Sequence, residues 1–125
     1  VKLNTPDFYN VAWFKLAECI ARGEKERALG VYKLLAHSLN DSALAIQLEA
    51  DILLSFNKQD ALAAYQRAAE EYKSQKQLFK AACIYEHMLT IDPTNNTYSK
   101  TLIELYTHLN MPHKIAALAY PQNLE

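Results

Sequence analysis

The sequence predicts an all-α protein of about seven helices, folded as antiparallel hairpins. Three observations predict it. Only two Gly and four Pro occur in 125 residues, and that poverty of turn formers disfavours a small all-β fold. Every Pro, and every Gly except Gly30, falls at the edge of a stretch with helical apolar spacing. The connections between those stretches are about two to five residues long, which forces neighbouring helices to run antiparallel.

The elements follow in order. Thr5-Pro6-Asp7 opens the first helix, over about 6–22: Thr5 can cap, Pro6 suits the first turn, and Asp7 favours the positive end of the dipole. Phe8, Val11, Ala12, Leu16 and Ile20 recur on one side, and Gly23 ends the helix. The second, 24–39, carries Ala28, Val31, Tyr32, Leu35 and Leu39 on one face. Asn40-Asp41-Ser42 stops it and caps the third, 42–56. The third is apolar nearly all round, with Gln47, Asp51 and Ser55 as its polar stripe, so it is expected at the centre of the array. A fourth covers 59–74 and a fifth 76–91, closed by Asp92-Pro93. Asn95 or Asn96 caps a sixth, 96–109, and Pro112 opens a short seventh, 112–120, closed by Pro121. Gly30 sits mid-helix, where a close helix–helix approach would explain it.

Composition narrows the class. Thirteen basic against fourteen acidic residues leave a formal net charge of −1, so no global field draws the chain to nucleic acid or to an anionic membrane. Half the residues are apolar, which argues against disorder. No run of eighteen apolar residues occurs to span a bilayer, and the polar N-terminus is no secretory signal. A cytoplasmic location is the expectation. The chain begins with Val1 rather than Met, as a fragment or processed chain would, and one domain is expected over 1–125. Leu124-Glu125 reads equally well as native sequence or as a pair left by cloning. Cys19 and Cys83 are expected to be two buried thiols rather than a disulfide.

A pattern then repeats: a Leu or small residue, an Ala thirteen residues on, a Tyr four later, and another apolar residue three later. Leu48, Ala61, Tyr65 and Ala68 fit it, as do Ala68, Ala81, Tyr85 and Met88. Leu16, Ala28, Tyr32 and Leu35 fit with one residue fewer, and Leu102, Ile115 and Ala119 form a degraded copy. With Trp13-x2-Leu16-Ala17-x2-Ile20 and the closing Ile91-Asp92-Pro93, the chain resembles the tetratricopeptide repeat, a helix–turn–helix unit of about 34 residues. The resemblance covers about 7–120 and implies hairpins stacked as a short right-handed superhelix. One departure stands out: the repeating small position falls at 28, 61, 81 and (as Ile) 115, so the gaps are 33, 20 and 34. The fourth helix fits both helix roles of the unit, a feature it shares weakly with SNAP-type vesicle-fusion adaptors.

The resemblance implies a protein–protein interaction module that presents a concave helical face to a peptide or partner protein, without catalysis. Carried over by position, the ligand-contacting residues are Phe14 and Glu18 on the first helix, Ile46 and Ala50 on the third, and Lys100, Glu104 and His108 on the sixth. Glu18 stands where a carboxylate-gripping subset of the family needs a cation or amide, so that mode is expected to be absent. Trp13, Tyr32, Tyr65 and Tyr85 are expected to hold the hairpins together. Self-association through the terminal helices is the second expectation.

No cofactor is implied. Glu104, His108 and nearby His113 have a spacing that can hold a metal, but a Glu–His pair on a polar stripe is common, and no metal is assigned. There is no Gly-rich phosphate loop, Gly-x-Ser-x-Gly or Cys-x-x-Cys to carry chemistry. Glu70 and Glu71, and His37 and His87, read as solvated, and Lys73 to Lys80 is too sparse a basic patch for nucleic acid.

Overall fold

A computed structural model describes residues 5–119, with side chains described over 11–118. Seven α-helices and no strand occur among the described residues: α1 Thr5–Ala21, α2 Lys25–His37, α3 Ser42–Leu54, α4 Lys58–Ser74, α5 Leu78–Ile91, α6 Asn96–His108 and α7 Pro112–Ala119. The all-α expectation holds, with each helix within about two residues of its sequence-based bounds. The capping side chains of Thr5, Pro6 and Asp7 lie outside the described residues, as do Pro121 and Leu124-Glu125.

Two kinds of connection join the helices. In the first, the chain turns through a left-handed residue: Gly23 at φ 71°, Lys76 at φ 63° and Asn110 at φ 57°. Each is flanked by the same pair of backbone bonds. Glu24 N donates to Cys19 O, Gln77 N to Tyr72 O and Met111 N to Tyr106 O, at 2.9, 2.9 and 3.0 Å. Gly23 N, Lys76 N and Asn110 N donate three residues back. This is the Schellman arrangement, which satisfies the last carbonyls of the preceding helix. It closes the α1–α2, α4–α5 and α6–α7 hairpins. In the second kind a side chain caps the next helix: Asp41 accepts from Leu44 N, Asn57 from Asp60 N and Asn95 from Tyr98 N, at 3.2, 3.0 and 3.1 Å. The turn chemistry therefore makes α4 the first helix of a hairpin with α5. It leaves α3 as the helix without a Schellman partner, which accounts for the short middle gap in the repeat.

The repeating small position now has a physical reason. Ala28, Ala61, Ala81 and Ile115 each donate their backbone N–H to the residue four back, Glu24, Asn57, Gln77 and Met111. They thus sit in the first turn of a helix just after the chain reverses. Ala28, Ala61 and Ala81 are fully buried, with 0 % exposure. A larger side chain there would force the rods apart, at about 1–3 kcal/mol.

The chain divides into two compact units, Val1–Ala64 and Tyr65–Glu125, with the boundary inside α4. In the first, Leu16, Cys19, Ala28, Leu35 and Ile52 form a core, with Ile20, Leu29, Tyr32, Leu48 and Phe56 packed around it. Tyr32 ties α2 to α3 by donating its hydroxyl to Ala45 O at 2.7 Å. The apolar circumference of α3 predicts cover on several sides. Its Ile52 and Leu48 face that core, and Ala43, Ala50 and Leu53 are also buried. Leu44, by contrast, stays 41 % exposed. In the second unit Tyr65, Tyr85, Met88 and Leu102 are the largest fully buried side chains. Their phenols are not stranded: Gln66 Nε2 donates to the Tyr85 hydroxyl at 2.7 Å, and the Tyr65 hydroxyl meets His87 Nε2 at 3.2 Å. His87 is therefore more than a solvated residue, and its ring also stands edge-on to Tyr65.

Two expectations are corrected. Gly30 marks no close approach, because a Cβ built there meets nothing within 4 Å. Cys83 is exposed rather than buried, since it faces outward on α5 between the buried Ala82 and Ile84. Two stabilising substitutions follow. Gly30→Ala, mid-helix and facing open space, is expected to raise stability by about 0.5–1 kcal/mol. Lys76→Gly removes the cost of an L side chain at positive φ and is expected to gain about 1 kcal/mol. Urea unfolding followed by circular dichroism reads both. A loss of stability at Gly30→Ala would show a contact there after all, and a loss at Lys76→Gly would mean that the left-handed turn is not strained.

Candidate functional site

Among the described residues of the first unit is an apolar groove of about 290 Å³. Trp13, Leu16, Ala17 and Ile20 form its α1 wall, and Leu48, Asp51 and Ile52 its α3 wall. The α1 wall is the same Trp-x2-Leu-Ala-x2-Ile stretch that carries the repeat resemblance. Spacings of three and four place these four side chains on one helix face. Leu16 and Ile52 are core residues at 3 % and 2 % exposure, so the floor of the groove is preformed. Trp13 stays 43 % exposed, so it lines the groove instead of wedging two hairpins together as expected. Asp51, from the polar stripe of α3, is the one charged residue in the lining. Leu44, one turn before Leu48, continues the apolar α3 wall beyond the groove.

Of the seven residues expected to contact a ligand, four belong to the first unit and three to the second. Phe14 and Glu18 lie on the outer face of α1, beside the groove and around a second depression with Val11, Lys15 and Ala17. Phe14 is 80 % exposed and Val11 68 %. Glu18 pairs with Arg22 at 3.0 Å. Ile46 is half-buried, and Ala50 is completely buried. Ala50 is thus a packing residue and cannot touch a ligand: it shares its helix face with the buried Ala43 and Leu53. Lys100, Glu104 and His108 are exposed on α6 in the other unit. Glu104 and His108 line a groove of about 210 Å³ with Lys73, Leu78, Thr101 and Leu105. His108 Nδ1 lies 2.9 Å from the carbonyl of Glu104 and donates to it, because a carbonyl can only accept. No cluster of three or more metal-ligating side chains occurs among the described residues.

Compared with protein-family models, with curated proteins and with solved structures, the chain matches none. What the chain can do is therefore read from its geometry and chemistry. No described helix is long and apolar enough to cross a membrane.

The titratable groups of the second unit describe a structural network. The Tyr106 hydroxyl donates to Glu86, whose carboxylate also meets Lys114 Nζ at 3.5 Å. These three residues rim a groove of about 260 Å³ between α5, α6 and α7, walled by Leu89, Leu102, Ala117 and Leu118. Burial pushes the Tyr106 phenol well above its ordinary range, and the hydrogen bond to Glu86 and that carboxylate's charge push it further. Burial likewise raises Tyr85, against the hydrogen bond from Gln66, and raises Tyr98 with help from Asp92. The Cys83 thiol, exposed but partly desolvated by its neighbours, is raised first by that desolvation and second by Glu86, with Lys114 opposing. A raised thiol holds little thiolate at neutral pH and is a poor nucleophile. Tyr106 ties α6 to α5 through its proton, because its hydroxyl donates to Glu86. The sign is that of acids whose protons bind more tightly in the folded state. Stability is full below the unfolded phenol range, near pH 10, and falls as pH rises above it. Urea midpoints measured from pH 8 to 11.5 are expected to stay flat and then drop above about pH 10. Tyr106→Phe is expected to soften that drop, and an unchanged alkaline slope in the variant would remove Tyr106 from the network.

Proposed function

We propose that this chain is a tetratricopeptide-like interaction module that holds a segment of a partner protein in the α1–α3 groove and performs no chemistry. One observation carries the reading: the Trp13-Leu16-Ala17-Ile20 face of α1 and Leu48 and Ile52 of α3 wall a preformed apolar groove. An apolar cleft with one carboxylate at its edge suits a large apolar anchor on a helical or extended segment, with a donor beside it. Three recurring Schellman turns and the buried Ala28, Ala61 and Ala81 support the family reading. A second reading, self-association through a terminal helix, is favoured by the exposure of Val11 and Phe14 on α1.

The sole Trp of the sequence lies in the groove, so its emission reports occupancy. A displayed peptide library panned on the whole chain is expected to enrich segments with a Leu, Ile, Met or aromatic anchor. Their synthetic versions are expected to shift Trp13 emission to the blue. Ala17→Lys fills the groove from an exposed position, so it is expected to abolish that shift at unchanged helicity. Selected peptides that bind the variant as well as the parent would overturn the groove as the site.

A further inference from the structure

The outer face of α1 carries a second pattern, which shares Ala17 with the groove. Phe14, Ala17 and Ala21 form an exposed stripe of small and apolar side chains at helical spacing, and Val11 lies at its margin, in line with the charged edge. Lys15, Glu18 and Arg22 run along one edge of it, and the groove wall bounds the other. Val11 and Phe14 are the two most exposed large hydrophobic side chains described. Such a stripe on a helix is normally covered.

We infer that a second copy of this chain covers it, by pairing α1 with α1 of the other copy in antiparallel, two-fold fashion. This deepens the self-association reading above, and because Ala17 also lines the groove, the pairing abuts the groove's α1 wall. The charge pattern argues for a like partner. In an antiparallel helix pair related by a two-fold axis, the same edge of each helix meets itself, and each contact occurs twice. An axis passing between positions 16 and 17 sets Lys15 of one copy against Glu18 of the other, and Glu18 against Lys15. Two opposite-charge pairs form and no like charges meet. The same register lays Phe14 over the small residues Ala17 and Ala21 of the second copy, with room for a ring. A parallel two-fold pairing would instead turn this charged edge toward the groove-side edge of the other helix and form neither pair. Glu18 already shares Arg22 within its own helix at 3.0 Å, so it enters the interface held in place. One helix pair is small against a standard interface of about 1,600 Å², so the dimer is expected to be weak and concentration-dependent.

Sedimentation of the full chain from about 5 to 500 μM, a range suited to a weak interface, tests the inference. A monomer–dimer equilibrium is expected for the parent, weakened beyond detection by Phe14→Ser. Each single reversal, Lys15→Glu or Glu18→Lys, places like charges opposite one another and is expected to weaken the dimer by about ten-fold. The double reversal K15E/E18K restores both pairs and is expected to return within about three-fold of the parent. Circular dichroism of every variant checks that the helices persist. A monomer at all concentrations overturns both the inference and the self-association reading. A dimer that ignores the single reversals, or that the double reversal fails to restore, keeps self-association and overturns the pairing of α1.

Discussion

The structure depends on how closely one helix can lie against the next immediately after the chain reverses. That distance is set by one side chain in the first turn of the returning helix. Ala28, Ala61 and Ala81 occupy it with nothing beyond a methyl group, and all three are sealed from solvent. The rest of the buried interior is filled by large side chains. Leu16 and Leu35 fill it in the first unit, and Tyr65, Tyr85, Met88 and Leu102 in the second. Small-then-large is the sequence pattern, and both kinds of side chain are buried.

The tyrosines show how a mostly apolar interior tolerates polar atoms. Each phenol lies inside with its oxygen at the margin, where a flexible polar group reaches it: Gln66 for Tyr85, His87 for Tyr65, Glu86 for Tyr106 and a backbone carbonyl for Tyr32. No buried side-chain nitrogen or oxygen among the described residues lacks a partner. A Tyr used this way fixes rotation of one helix about its axis as well as its distance from the next, because the hydroxyl must arrive at a particular atom.

The fold was legible because breakers and periodicity act locally. Gly23, Asp41, Asn57, Asn95 and Pro112 mark helix ends through bonds made within a few residues. Lys76 was not legible as a turn residue, since nothing in a lysine signals positive φ, and the fifth helix starts two residues later than its pattern suggests. The site was less legible. Family position placed Ala50 at a contact surface, whereas spacing from Ala43 and Leu53 puts it inside. Trp13 looked like a wedge because large aromatics usually fill gaps, yet the wall opposite it stands back and leaves space. The signal for the groove was present in the shared face of Trp13, Leu16, Ala17 and Ile20. Which faces of separate helices end up opposite one another is decided by the crossing geometry, which no local pattern contains.

The left-handed turns also set a spacing along the chain. From Lys76 to Asn110 is 34 residues, and from Gly23 to Lys76 is 53. The shorter interval is one hairpin counted from reversal to reversal. The longer one exceeds it by 19, the length of a single rod with its connection. Because each reversal terminates one helix and launches the next using backbone atoms alone, a segment copied between two of them arrives with both ends already finished. Counted this way the reversals are spaced by whole hairpins, and α3 is the single rod that breaks the count.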